Sequence, residues 1–166
     1  MKICVVFGHF NTENSFNACI RDAFIDEATK IGHEIDLINL YNETEQLPFY
    51  RSDINPPPKL VLEYRKRLEE ADAMFLISAC HNLRMNIILE NWIDWVLHPT
   101  WFFSYKSIMP DSKFFGNYGY PVAGAMKNKI GIVSMTYGGP MVSYFNFSFF
   151  DNLSLIHISE PTRLTS

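Results

Sequence analysis

The sequence has no surplus of positive charge: 14 Lys and Arg stand against 18 Asp and Glu, a net charge of −4 at pH 7. No basic block interrupts that balance, so nucleic acid is not expected as a partner. Cysteine is scarce and odd in number. Cys4, Cys19 and Cys80 show neither the spacing of a metal site nor the even count of a disulfide framework. They point to a reducing compartment, the cytoplasm, and to no metal. No apolar run reaches the length of a membrane span, and no charged segment with an apolar core opens the chain. Neither a span nor a signal peptide is therefore expected. Internal repeats are lacking as well. What is there is a globular composition, 48% hydrophobic and 19% charged over 166 residues, enough for the core of one domain. Aromatics are plentiful at 15% and cluster late, in Trp101-Phe102-Phe103 and from Tyr144-Phe145 to Phe149-Phe150.

Lys2-Ile3-Cys4-Val5-Val6-Phe7 is short, apolar and rich in β-branched residues, as a strand buried on both faces is. Helical spacing of Phe16, Ile20, Ala23, Phe24, Ala28 and Ile31 predicts a helix over 15–31, ended by Gly32. A second strand is expected over 33–40, giving a right-handed βαβ unit if the two strands are parallel neighbours. A polar connection, 41–55, runs into Pro56-Pro57-Pro58. A helix over 59–70 follows, with Leu60, Tyr64 and Leu68 on one face. Its charges, Arg65, Lys66, Arg67, Glu69 and Glu70, have the pattern of a solvated face. The run 73–78 is a third buried strand. A third helix is expected over 85–97, with Ile88, Trp92, Trp95 and Val96 inward and Pro99 as its stop. Residues 100–128 form a long connection, which in a compact domain is either functional or hides further elements. A fourth strand spans 129–135, and a helix start is expected near Pro140 or Met141. Strands alternating with helices indicate an α/β domain with a parallel sheet.

In such sheets ligands bind beyond the carboxyl ends of the strands, so three loops carry the chemistry. After the first strand, Gly8 to Ser15 leads into a helix N-terminus, where free amides and the helix dipole favour an anion such as a nucleotide phosphate. His9, Ser15 and Asn17 can add side-chain contacts. The same residues also suit a plain turn in which Asn14 or Ser15 caps the helix. After the third strand comes Ala79-Cys80-His81-Asn82. A Cys80/His81 nucleophile pair is conceivable there, but neighbours in sequence seldom orient toward each other. After the fourth strand, Thr136 and Tyr137 offer hydroxyls, and Gly138-Gly139 lets backbone approach a flat ligand, or simply makes a turn. His33 and His98 read as surface or capping residues, Trp92 and Trp95 as core.

Four pieces together resemble the NAD(P)H:quinone oxidoreductase family, flavoproteins with a flavodoxin-like fold. They are Gly8-His9 with Ser15-Phe16-Asn17, the stretch from Leu89 to Leu97 around Trp92, Trp101-Phe102-Phe103-Ser104-Tyr105, and Thr136 to Pro140. The resemblance covers about residues 1–151. It implies a flavodoxin-like parallel sheet with helices on both faces. It also implies two-electron transfer from NADH or NADPH, through bound FAD or FMN, to a quinone or similar acceptor. By position it implies that His9, Ser15, Phe16 and Asn17 hold the flavin phosphate and ribityl end. Ala79, Cys80, His81 and Asn82, with Thr136, Tyr137, Gly138 and Gly139, would flank the isoalloxazine. Tyr144 would assist hydride transfer, and Tyr105 would cover the site from the partner subunit of a homodimer. The third loop departs from the family, which usually has a proline and aromatics where this chain has Ala79, His81 and Asn82. Phe150 stands where some members have a histidine in the hydride relay. A flavodoxin-like regulatory or interaction subunit with little turnover is the alternative reading.

The last residues, 153–166, resemble a translated sequencing-library adapter. The flavin-binding domain is accordingly expected over 1–152, truncated at its C-terminus without the fifth strand and closing helix, with 153–166 a non-native tail.

Overall fold

The computed structural model describes residues 1–81, 84–98, 101–107 and 119–138. Four parallel strands form the main sheet: β1 (Lys2–Gly8), β2 (Glu34–Asn39), β3 (Ala73–Ala79) and β6 (Ile130–Thr136), in the order β2-β1-β3-β6. The registers Ile3↔Ile35, Ile3↔Ala73 and Ala73↔Ile130 align the strands in one direction. Their carboxyl ends therefore lie along one edge, where Gly8 pairs with Ser78 and Ala79 with Thr136.

Alternation along β1 divides the core. Cys4 and Val6 face one layer with Val61, Tyr64, Leu68, Leu89 and Trp92, contributed by α2 (Lys59–Glu70) and α3 (Ile87–Val96). Ile3, Val5 and Phe7 face the other with Ala18 and Ala28 of α1 (Phe16–Lys30). Helices thus cover both faces, as the resemblance implied. Trp92 and Trp95 are buried, so both are core residues. At the carboxyl end α3 presses on β1 so closely that a Cβ on Gly8 would lie 2.8 Å from the Leu89 Cβ. No helix among the described residues is long and apolar enough to cross a membrane.

The structure corrects the sequence in three places. First, the two ends of α1 depart from the expected face, while Ile20, Phe24 and Ala28 pack on the core as their spacing predicts. Phe16 and Ile31 are exposed, while Asn17, Ala18, Arg21 and Ala28 are buried. Small Ala18 and Ala28 let the helix lie close to the sheet, and the bond from Asn17 to β6 fixes its rotation. Arg21 fills the remaining space, its guanidinium 4.6 Å above the Phe7 ring. Second, two α2 charges are structural rather than solvated. Arg65 donates to the carbonyls of Trp95 and Val96 at 2.9 and 3.1 Å, capping α3. Arg67 grips both carboxylate oxygens of Asp36 on β2. Third, the connection 100–128 holds an antiparallel pair, β4 (Phe103–Ser107) and β5 (Gly119–Ala123). The helix start expected near Pro140 lies outside the described residues, as does the tail 153–166.

Candidate functional site

The three loops singled out in the sequence meet at the carboxyl edge of the sheet. The loop after β1 is closed on itself by Asn11. Its side chain accepts from the Asn14 amide at 2.9 Å and donates to the Asn14 carbonyl at 2.8 Å. The buried ring of His9 is latched to the same residue, its Nδ1 lying 3.2 Å from the Asn11 amide and 3.1 Å from its carbonyl oxygen. Ser15 ends the loop as the N-cap of α1: its hydroxyl accepts from the Ala18 amide at 3.1 Å and donates to the Asn11 carbonyl at 2.7 Å. Ser15, and not Asn14, is the cap. The preceding amides in the helix, those of Phe16 and Asn17, find no acceptor among the described residues. Two free donors at the positive end of a helix are a receptor for an anion.

Asn17 joins this corner to the far loop. It is 3% exposed, and its Nδ2 donates to Thr136 Oγ1 at 2.8 Å across 119 residues of sequence. Its Oδ1 is buried with no hydrogen-bond partner among the described residues, an acceptor still to be satisfied by a hydroxyl or water. The middle loop is aligned with the far one by backbone, the Cys80 amide donating to the Thr136 carbonyl at 2.8 Å. Ala79 is buried, Cys80 half-buried and His81 exposed. His81 and Arg84 exchange backbone bonds of 2.8 and 3.2 Å as an antiparallel bridge. Near that bridge in sequence, buried Ser78 accepts from the Asn86 amide at 3.0 Å. Asn86 in turn caps α3 through the Ile88 amide. On the far loop Tyr137 is half-buried and Gly138 exposed, with nothing within 4 Å of where a Cβ would stand.

His9, Ser15, Phe16, Asn17, Ala79, Cys80, His81, Thr136, Tyr137 and Gly138 are therefore brought to one edge. Asn82, Gly139 and Tyr144 lie outside the described residues. Tyr105 is placed in β4 by its backbone, in register with Pro121, and its side chain is outside what the structure describes. Sequence reasoning missed Asn11, Arg84 and Asn86. An asparagine three residues before another loop residue is the signal that could have found Asn11. Asn86, one before the helical run, has the signature of an N-cap.

The sequence model of a family described as "Flavodoxin-like fold" matches residues 1–155. Comparison with the curated proteins gives no match. Among solved structures, the chain is similar to an NAD(P)H:quinone oxidoreductase from Methanothermobacter marburgensis. The two are 18% identical with a TM-score of 0.68, over 86% of this chain and 70% of that one. Smu.1420 from Streptococcus mutans is 24% identical with a TM-score of 0.65, over 86% and 71% of the two chains. An FMN-dependent NADH-azoreductase from Bacillus anthracis, solved in complex with FMN, is 14% identical with a TM-score of 0.63, over 90% and 74%. Likeness at these identities establishes the fold.

Proposed function

This chain belongs to the Flavodoxin-like fold family, and on that premise we propose that it is a flavin-dependent NAD(P)H:quinone oxidoreductase. The overall exchange moves a hydride from NADH or NADPH and a proton from solvent to a quinone-like acceptor, leaving NAD(P)⁺ and the hydroquinone. Bound FMN or FAD supplies the hydride-carrying chemistry. The observation that carries the reading is the corner where α1 begins: two amides without acceptors beside a buried amide oxygen without a donor, tied to the Thr136 loop by Asn17. A phosphate satisfies the first and a polyol chain the second, and a flavin nucleotide has both.

In this reading the amides of Phe16 and Asn17 hold the phosphate, with Ser15 and His9 shaping the loop around it. Ala79, Cys80 and His81 on one side, and Thr136, Tyr137 and Gly138 on the other, flank the ring. Asn82 and Gly139 extend those two walls. Tyr144 assists hydride transfer, and Tyr105 closes the site from the second subunit of a homodimer. The names of the similar structures, a quinone oxidoreductase and an FMN-dependent azoreductase, support the reaction class. The three scattered cysteines support a cytoplasmic location, and the acidic balance supports the absence of a nucleic-acid partner. The functional domain is assigned to residues 1–152, and resequencing the source locus tests whether 153–166 is read-through.

The visible absorption spectrum of the purified protein is the first test, followed by NAD(P)H oxidation with menadione. Bound-flavin bands and quinone-dependent turnover are expected. A folded, colourless protein that ignores added FMN and FAD overturns the reading. So does a flavin-loaded protein without turnover. Light scattering tests the homodimer.

A further inference from the structure

The connection that follows β2 lies over α2 and α3, and between them is a cavity of about 20 Å³. No residue of the three candidate-site loops lines it. One water needs at least about 10–15 Å³, so the cavity has room for one molecule of that size and little more. Leu40, Leu47 and Ile88 supply its apolar wall. Trp92 of α3 lines it too. Trp92 is fully buried, and its Nε1 has no hydrogen-bond partner among the described residues. The other two indoles are satisfied: Trp95 Nε1 donates to the Pro48 carbonyl at 2.8 Å, and Trp101 Nε1 to Glu69 Oε1 at 2.9 Å. An indole N–H can only donate, and a buried donor left unpaired costs free energy. Trp92 therefore calls for an acceptor.

The other polar groups on the wall decide which acceptor fits. Asn91 is occupied: its Oδ1 accepts from the Tyr50 amide at 2.7 Å and its Nδ2 donates to the Pro48 carbonyl at 3.0 Å. Gln46 turns its Nε2 on the carbonyls of Leu40 and Glu43, at 3.0 and 3.1 Å. What remains is two carboxylates, half-buried Glu43 and exposed Glu45. After burial itself, the charge of Glu43 does most to raise the Tyr64 hydroxyl, which lines the same cavity; a carboxylate near the cavity has that effect. An anion would meet these carboxylates, and a cation cannot accept from Trp92. The ligand has to accept and donate within the volume of a single small molecule, and water does both.

We propose that the cavity binds one ordered water, which accepts from Trp92 Nε1 and donates to the Glu43 carboxylate. The water ties residues 42–47 to α3. Among the described residues no direct hydrogen bond joins that stretch to a helix, since the Asn42 amide and the Gln46 side chain both bond within 39–43. The direct ties lie on either side of it, from Tyr41 to Asn86 and from Pro48 and Tyr50 to α3. A bridging water is nearly as favourable as a direct bond, so the connection is held along its whole length. This site is independent of the oxidoreductase reading.

NMR of the full chain carrying isotope-labelled tryptophan reads the three indoles separately. Trp92 is identified by its contact with the Tyr64 ring, 6.0 Å between centroids. A direct water cross-peak is expected at its indole proton, with opposite signs in the laboratory and rotating frames, the signature of a bound water. Trp95, bonded to Pro48, is expected to show none. The signal is expected to persist in Glu43→Gln, which keeps an acceptor, and in Tyr64→Phe, which removes the hydroxyl that could relay it. In Glu43→Met, which keeps bulk but no acceptor, the signal is expected to vanish. Amide exchange across 42–47 is then expected to speed up about fivefold, the effect of one lost hydrogen bond. No water contact at Trp92 in the unaltered protein overturns the proposal. So does a signal lost in Tyr64→Phe, which traces it to the hydroxyl. A signal or an exchange rate unchanged in Glu43→Met overturns the bridge.

Discussion

Ser15 allows the capping role and the proposed anion site to be separated by one atom's charge. Its hydroxyl accepts from the Ala18 amide at 3.1 Å, so Ser15→Ala removes the cap of α1 and costs about 1 kcal/mol. For a domain of this size that lowers Tm by about 2–4 °C. Asp is as good a cap as Ser, so Ser15→Asp is expected to keep the stability within a few tenths of a kcal/mol. It places a negative charge beside the amides of Phe16 and Asn17, where the phosphate is proposed. Two unit charges 4 Å apart near a protein surface repel by about 4 kcal/mol. Ser15 is half-buried, and solvent and salt screening reduce this to about 1–2 kcal/mol, a loss of FMN affinity of about five- to thirtyfold. Ser15→Asn caps without charge and is expected to bind FMN within about threefold of the unaltered protein. Thermal melts give the first quantity, and titration of apoprotein with FMN, followed by quenching of flavin fluorescence, gives the second. Ser15→Asp with undiminished FMN affinity would refute the placement of the phosphate at α1. Ser15→Asp melting with Ser15→Ala would refute the capping argument.

Gly8→Ala should cost about 1–3 kcal/mol, because its Cβ would meet the Leu89 Cβ at 2.8 Å and neither backbone can yield without parting β1 from α3; urea denaturation measures it. Asp36→Asn should lose about 1 kcal/mol, since the bidentate grip of Arg67 on β2 is partly exposed and so only partly realised; an undiminished denaturation midpoint counts against that assignment. Burial, with a smaller contribution from Asp36, pushes the Cys4 thiol from 9.0 up to about 12. A folded-state value above the unfolded one means that stability is fully present below about pH 9 and declines as pH rises toward 12. Burial raises Tyr64 in the same direction. Denaturation midpoints taken across that range should fall, and Cys4→Ala should flatten the early part of the decline; a slope unchanged in that variant assigns the effect elsewhere.

The sequence alone determined the elements whose periodicity is unambiguous. β1 and β3 are continuous apolar runs, which only strands covered on both faces require, and they lie within one residue of their expected ends. The span of α2 was read to the residue, because proline sets its start and its apolar spacing is regular. Carboxyl-end loops carry the candidate site because parallel strands force all such loops to one edge, and that too was legible. The phase of α1 was legible along its middle, where Ile20, Phe24 and Ala28 pack on the core, but not at its start. Phe16 is the more apolar residue, yet Asn17 is the one buried, because a hydrogen bond to Thr136, 119 residues away, and the close approach allowed by Ala18 and Ala28 decided the rotation. The roles of Arg65 and Arg67 were equally invisible, since their partners lie on α3 and β2 and a charge is read locally as solvated. The hairpin of β4 and β5 escaped detection because its pairing spans a segment without clear alternation. Local periodicity writes strands and helices into the chain. Long-range partners, which periodicity cannot encode, chose which face each helix shows and which side chains share a site.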